Sequence, residues 1–511
     1  MQHSENKAVV LPLKISAPFL RYIIYMYKKL YSISLLALIL LSLGSCLDDE
    51  KFTADGSARL TIRRDSVDLG TILGGELSGT DTLKLFNDNK DGLRLTRIAL
   101  ERGAASPFRV NVDGQPLDGG EGADFEVLGR DSLLVFLSCL APDADSDEPK
   151  EVSDRLLITT EGGAQHVVTL VAQSQSVVRL AARTLRADTA LDGTRPFQIL
   201  DSLVVAEGAT LTLRAGTRLL FHPGASIIVR GRLVSEGTAE QNVVIRGDRL
   251  GNMLSQIPYD RIPAQWGGIT FASTSYGNEL TYTDIHSGSY GLRLDSADVS
   301  RDKLIMNACT VHNVGADGIY ARHCRLYARD CQITNAAGHC LNILGGHATF
   351  VHCTIAQFYP LVGGYGVALN FANCDGEIRL PLYALQMLNC IVTGRNDDDI
   401  MGEQSTRYTE DPFNYLFHHC LLGTPKVTDE SQAAHFVNCR WEDDDKDHAR
   451  AKNFSPEFNY DELTFIFQLD SLSHALGGAD PAISRDYAPT DRSGYNRLFD
   501  GAPDIGCFER H

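Results

Sequence analysis

Cys309-Thr310-Val311-His312-Asn313, Cys331-Gln332-Ile333-Thr334-Asn335 and Cys353-Thr354-Ile355-Ala356-Gln357 decide the fold. Each phrase starts 22 residues after the one before, and three positions agree at each step: Cys, then Val or Ile, then Asn or Gln. Positions i, i+2 and i+4 share one side of a strand. The preceding strand repeats too, as Leu304-Ile305-Met306, Leu326-Tyr327-Ala328 and Ala348-Thr349-Phe350. Helical solenoids need about 33 residues or more per repeat, and the Leu/Asn grammar of a leucine-rich repeat is absent. A parallel β-helix is left, with one rung per turn and rungs stacked about 4.8 Å apart. In that stack Asn313, Asn335 and Gln357 are expected to form an amide ladder bonded along the axis.

Outward from this core, Gly208 to Thr217, Ile227 to Thr238, Trp266 to Phe271 and Gly291 to Leu294 read as short strands between glycine corners. Cys390-Ile391-Val392, Cys420-Leu421-Leu422 and Cys439-Arg440-Trp441 continue the phrase at spacings of 37, 30 and 19, so loops leave the later rungs. These phrases resemble the right-handed parallel β-helix repeats of the pectate-lyase-like superfamily. The resemblance implies an all-β, right-handed parallel β-helix of about 22 residues per rung, expected over residues 190–445. Residues 446–511, with Asp491-Arg492-Ser493-Gly494-Tyr495-Asn496-Arg497 and Pro503-Asp504-Ile505-Gly506-Cys507-Phe508-Glu509, are similar to the terminal motif of many secreted bacterial β-helix proteins. Open ends need covering, so Asp491, Arg497, Asp504 and Glu509 read as a polar cap rather than a site.

Residues 57–178 show shorter alternating runs, among them Thr82-Leu83-Lys84-Leu85-Phe86 and Phe108-Arg109-Val110-Asn111-Val112, broken by turn clusters such as Asn87 to Gly92. They predict a β-sandwich. Val67-Asp68-Leu69-Gly70-Thr71-Ile72, Leu85-Phe86-Asn87 and Leu93-Arg94-Leu95 resemble immunoglobulin-like domains of the ASPM/SPD-2/Hydin type, which implies a spacer or interaction module. The acidic run Asp143 to Glu148 lacks the turn and distal Glu of a calcium loop and reads as a solvated loop.

At the N-terminus, Lys28 and Lys29, the apolar run Leu30 to Leu43 and Gly44-Ser45-Cys46 carry the three-part grammar of a secretory signal. The run is too short to span a bilayer. Leu43-Gly44-Ser45-Cys46 resembles the bacterial lipobox, which implies lipidation at Cys46. Residues 1–25 then read as a mis-called start, 26–45 as the signal peptide and 46–56 as an acidic tether. Asp48-Asp49-Glu50 is similar to the surface-export signal of Bacteroidota lipoproteins, so the expected location is the outer membrane, displayed at the surface. Loss of 1–45 removes Lys7, Lys14, Arg21, Lys28, Lys29 and Glu5, which takes the net charge of the 511-residue chain from −18 to −22. So acidic a body argues against nucleic acid as a partner. The expected partners are the membrane, through the lipid, and a glycan or surface protein.

Of 12 Cys, the seven at 309, 331, 353, 390, 420, 439 and 507 sit in or beside apolar strand phrases, where Cys acts as a small buried hydrophobe. Mostly free thiols are expected. No CxxC pair supports zinc, and the histidines beside Cys324, Cys340, Cys353 and Cys420 are expected to point outward, so no metal site or cofactor is assigned. Calcium would enter only with lyase chemistry. The one acidic-basic cluster of the right composition is Arg395, Asp397, Asp398, Asp399, Glu403 and Arg407. It would serve a polysaccharide lyase or glycoside hydrolase if its carboxylates converged. The Asn-Thr-Asp and Gly-His-Gly phrases typical of β-helix hydrolases are absent. The leading reading is therefore a β-helix that binds polysaccharide or an envelope partner, with Trp266, Tyr276, Tyr290 and Tyr320 as platform candidates beside Tyr259, Tyr359 and Tyr365. A lyase or glycosidase and a purely structural envelope or adhesion protein are the alternatives.

Overall fold

The structure is a computed structural model that describes residues 26, 29, 50–143, 145–254, 257–359, 361, 364–445, 448–455, 457, 459 and 463–511. Cys46 and all of segment 26–45 except Met26 and Lys29 lie outside the described residues.

The first domain is a sandwich of a five-stranded and a six-stranded sheet. Period-2 alternation does what the sequence predicts. Leu83 and Leu85 face inward opposite Val135 and Leu133, and Leu156, Ile158 and Leu170 close the core from the other sheet. Asn87, from the turn cluster, is buried and its amide donates to the carbonyls of Asp91, Val127 and Leu128 at 3.0 Å each. The acidic run is not merely solvated. Asp145 and Asp147 reach Arg195 at 2.9 and 2.5 Å, and Asp143 lies 3.5 Å from Arg179, so the run ties the sandwich to the next domain.

That domain is a parallel β-helix. A typical rung has three short strands, as in Ile227–Val229, Arg232–Glu236 and Val243–Gly247, which define a first, second and third face. Each pairs in parallel with its successor in Ile269–Phe271, Asn278–Thr281 and Thr283–His286. The third face carries 11 strands, and the first and second merge into a sheet of 17. Pairing starts at Val178–Leu180, earlier than the expected residue 190. Alternate apolar side chains of each strand point to the axis, and Leu211, Ile245, Ile269, Ile285, Ile333 and Leu369 are all fully buried.

The corner before the third face explains the Cys phrase. Ala308, Asp330, His352, Asn389, His419 and Asn438 each precede a ladder Cys, and all have φ between 48° and 54°. That left-handed conformation turns the chain through the corner in one residue, and Asn, Asp and His are the non-glycine residues that tolerate it best. The following Cys then packs inside. Cys309 N–H points to Cys331 Sγ, and Cys353 N–H to Cys390 Sγ, at 3.4 Å each. All described cysteines are free.

Two expectations change here. Asn313 and Asn335 also have left-handed backbones, at φ 50° and 55°, so they kink the strand rather than stack along it. Their amides serve the backbone: Asn313 Nδ2 donates to Arg261 O, Phe358 N–H donates to Asn335 Oδ1, and Gln357 Nε2 donates to Ala336 O. The histidines before Cys do not simply face outward, because a corner has no two-sided alternation. His352 is fully buried.

The C-terminal segment runs back along this corner, meeting successive rungs in reverse order. His419 Nδ1 lies 3.1 Å from Gly478 O; Asp480 N–H donates to Asn389 Oδ1; His352 Nε2 meets Ser484 Oγ at 2.8 Å; and Arg497 donates to Asp330 at 2.7 Å. Phe454, Phe467, Leu469, Ala479 and Ile505 cover Ala356, Ile391 and Leu421 on the outside of the third face. Gly506, at φ 98°, lies against Ile391 and Thr354, where a Cβ would come within 2.7–2.8 Å of their side chains. Asp491, Arg497, Asp504 and Glu509 do form a buried polar cluster, placed along the flank of the helix.

Candidate functional site

The C-terminal segment covers the third face around Ala356, Ile391 and Leu421, whereas the first face keeps an outward row of polar side chains in reach of solvent. Along its inter-rung row stand Thr270, Arg293, Tyr320, Asn342 and Asn370, brought side by side by strand register. Asn342 binds its neighbours on both sides: its Nδ2 donates to Asp317 Oδ2 at 2.8 Å and its Oδ1 accepts from Asn370 Nδ2 at 3.0 Å. The Arg293 guanidinium lies 5.6 Å from the Tyr320 ring centre. Burial, then the nearby Asp375, raise the Tyr320 phenol above its ordinary value, so it stays a hydroxyl donor. Tyr290 lies over Gly268, whose φ is 114° and whose Cβ would meet the ring at 2.7 Å, and its hydroxyl lies 2.8 Å from Thr270 Oγ1. The floor is thus a half-buried polar and aromatic row repeating at the rung spacing.

The four platform candidates divide. Tyr290 and Tyr320 belong to this floor. Tyr276 sits in the loop between the first and second faces, with Arg301 3.8 Å from its ring centre. Trp266 cannot be a platform. It is 1% exposed, stacks on Phe221 at 4.5 Å and donates Nε1–H to His286 O. A Trp followed by two glycines fills a rung corner, and burying both ring and N–H is the favourable use of it there. Of the other tyrosines, Tyr359 is buried.

The acidic loop does not converge. Arg395 stands 6.0 Å from the Tyr365 ring centre, and Asp397 is exposed. Asp398 accepts from Thr424 Oγ1 at 2.6 Å, Glu403 is exposed on the strand Ile400–Glu403, and Arg407 pairs with Glu377 at 3.0 Å. Asp399 turns inward. It is fully buried, with Arg450 3.2 Å away, and the same guanidinium reaches Glu442 at 3.2 Å. Burial pushes Asp399 up to about 7 against the pull of Asn396 and Arg450. Glu442 likewise rises to about 7 through burial, opposed by Thr393, Arg450 and Asn453. The sequence groups Asp399 with its exposed neighbours because its partner Arg450 lies 51 residues later, beyond the last rung.

Beside Asp398 a cavity of 550 Å³ opens where the first face ends at Ile400–Glu403 and the last rungs continue without it. Phe371, Phe413, Tyr415, His435 and Phe436 line it, with His435 stacked on Tyr415 at 4.0 Å. Neither this cavity nor the Asn342–Asn370 pair was legible in the sequence, since both depend on register across rungs of unequal length.

A model of the right-handed β-helix region family matches residues 224–405. The chain is a right-handed parallel β-helix preceded by a β domain. No curated protein matches it. Similar solved structures include the ASH/PapD-like domain of human CEP192, at 16% identity over 24% of this chain and 89% of that one, with a TM-score of 0.16. The secreted serine protease VesC from Vibrio cholerae is 16% identical over 24% of each chain, with a TM-score of 0.17. The catalytic unit of a thermostable GH87 α-1,3-glucanase from Streptomyces thermodiastaticus is 9% identical over 70% of this chain and 87% of that one, with a TM-score of 0.22.

Proposed function

We propose that the chain is a bacterial surface lipoprotein, anchored through Cys46, whose first domain acts as an immunoglobulin-like spacer and whose β-helix binds an extended glycan along its first face without cleaving it. The observation that carries this reading is the row Arg293, Tyr320, Asn342 and Asn370 on successive rungs, with Asp317 bracing Asn342. Sugars offer hydroxyls at their edges and apolar C–H faces. A tyrosine ring beside amides and a guanidinium answers both. Functional groups repeated at about 4.8 Å suit a polymer lying along the axis. The absence of cleavage rests on the scatter of Arg395, Asp397, Asp398, Glu403 and Arg407, and on Asp399 and Glu442 both being held by Arg450 away from solvent.

The test is calorimetric titration of the full chain with a panel of neutral and acidic polysaccharides, followed by assays for unsaturated product and new reducing ends, with and without calcium. Binding of at least one polysaccharide is expected, weakened about tenfold by Tyr320→Ala or Asn342→Ala. No bound polysaccharide, or depolymerisation by the wild type, would overturn the reading.

A further inference from the structure

Asp284 and His286 lie two apart on the strand Thr283–His286, so both project from the outside of the third face. One rung on, His312 is the register partner of His286. His286 Nδ1 and His312 Nε2 each lie 3.2 Å from the same oxygen, Asp284 Oδ1, and the two rings stack at 4.7 Å. The candidate ligand atoms of the three residues all lie within 4.8 Å of one another. Two ligands about 2.0–2.1 Å from a tetrahedral zinc ion are about 3.3 Å apart, so two of these separations already suit a shared ion.

The outer partner of His312 strengthens the point. Asn313 Nδ2 donates to Arg261 O at 2.9 Å, which turns Asn313 Oδ1 toward His312 Nδ1 at 2.8 Å. An amide oxygen only accepts, so Nδ1 carries a proton, and Nε2 faces the carboxylate either as a lone pair of the neutral ring or as the second N–H of the imidazolium. A lone pair facing a carboxylate oxygen is repulsive unless a cation or a proton lies between. A ligating histidine characteristically donates its other N–H to a fixed carbonyl in this way. His286 is 5% exposed; its Nδ1 bonds Asp284 Oδ1, and its Nε2 has no hydrogen-bond partner. Arg246, the nearby cation, is held by Asp260 at 3.5 Å and by the carbonyls of Gly247 and Arg249. The Asp284 and His312 side chains are 29% and 24% exposed, which leaves an approach from solvent.

We propose that Asp284, His286 and His312 bind a divalent first-row transition metal, with zinc as the representative ion and at least one coordination position left to water. Two imidazoles and one carboxylate form a ligand set suited to Zn²⁺ or Fe²⁺ and poorly suited to Ca²⁺. This departs from the sequence reading, which assigned no metal. Among the described residues, two other groups of potential ligands are weaker. His419 already bonds Gly478 O and Asn438 with its two nitrogens, and Asp445 lies 3.6 Å from His474 with its carboxylate about half exposed.

Zinc titration of the chelator-treated full chain by calorimetry, with cobalt absorption as a second readout, tests the site. One-to-one zinc binding is expected, lost or weakened at least tenfold in His312→Ala and Asp284→Asn and retained in His474→Ala. His286→Ala replaces His312→Ala should the latter not fold, as judged by metal-free melting. No zinc binding, which would leave the cluster a proton-bridged ion pair, overturns the proposal. So does binding that His474→Ala abolishes and His312→Ala spares.

Discussion

Two arginines each serve two buried carboxyl groups. Arg450 serves Asp399 and Glu442, and Arg497 serves Asp330 and Glu509. Burial raises Asp330 to about 6 and Glu509 to about 8, against the pull of Arg497 in both. A carboxyl whose folded pKa lies above its unfolded one adds stability that is complete below the unfolded value and lost as pH rises through the folded value. For Glu442 that window runs from its ordinary 4.5 to about 7, and the effect is at most about 3 kcal/mol. Glu442→Gln cannot ionise. Wild type should therefore lose melting temperature relative to this variant between about pH 5 and pH 8. An unchanged gap across that range would show that Glu442 is not held protonated. Arg497→Ala strands the buried Asp330 carboxylate beside Glu509 and should cost about 3–5 kcal/mol in chemical denaturation at neutral pH, less in acid, where both groups are neutral. A loss below about 1 kcal/mol would mean that water reaches the pair.

Among the elements, the rung is what the sequence makes legible. Its signal is the left-handed corner followed by an inward Cys, and 22-residue spacing survives where no loop leaves the corners. The amide ladder was misjudged because Asn313 and Asn335 themselves turn the chain, so their side chains meet backbone rather than one another. The Asp284–His312 group was hidden because its rung holds Thr283 where later rungs hold Cys, which removes the marker. The C-terminal segment is legible through its resemblance to a terminal β-helix motif, but its place along the flank follows from corner residues that only register aligns. Gly506 is the closest point of that seam. Gly506→Ala would force a Cβ against Ile391 and Thr354 at a left-handed φ, and should detach the segment. Hydrogen exchange over residues 448–511 should accelerate while the rungs 203–294 keep their protection. Equal exchange in variant and wild type would mean that the seam yields without opening.

The whole molecule is a β-sandwich followed by a solenoid whose C-terminal segment covers the later rungs of the third face and leaves the first face open. In the proposed reading, the acidic body would be repelled by an anionic membrane and the lipid at Cys46 would supply the anchor. Cys46→Ser should move the protein from the membrane fraction to the soluble fraction and end palmitate labelling. Retention with the membrane would contradict the anchor. The most direct measurement of the central claim is a crystal structure of the full chain with the oligosaccharide selected by titration. Sugar density across Tyr320, Asn342 and Asn370, running along the helix axis, is the expected result. Density confined to the aromatic cavity beside Tyr415 and His435, or on any face other than the first, would contradict it.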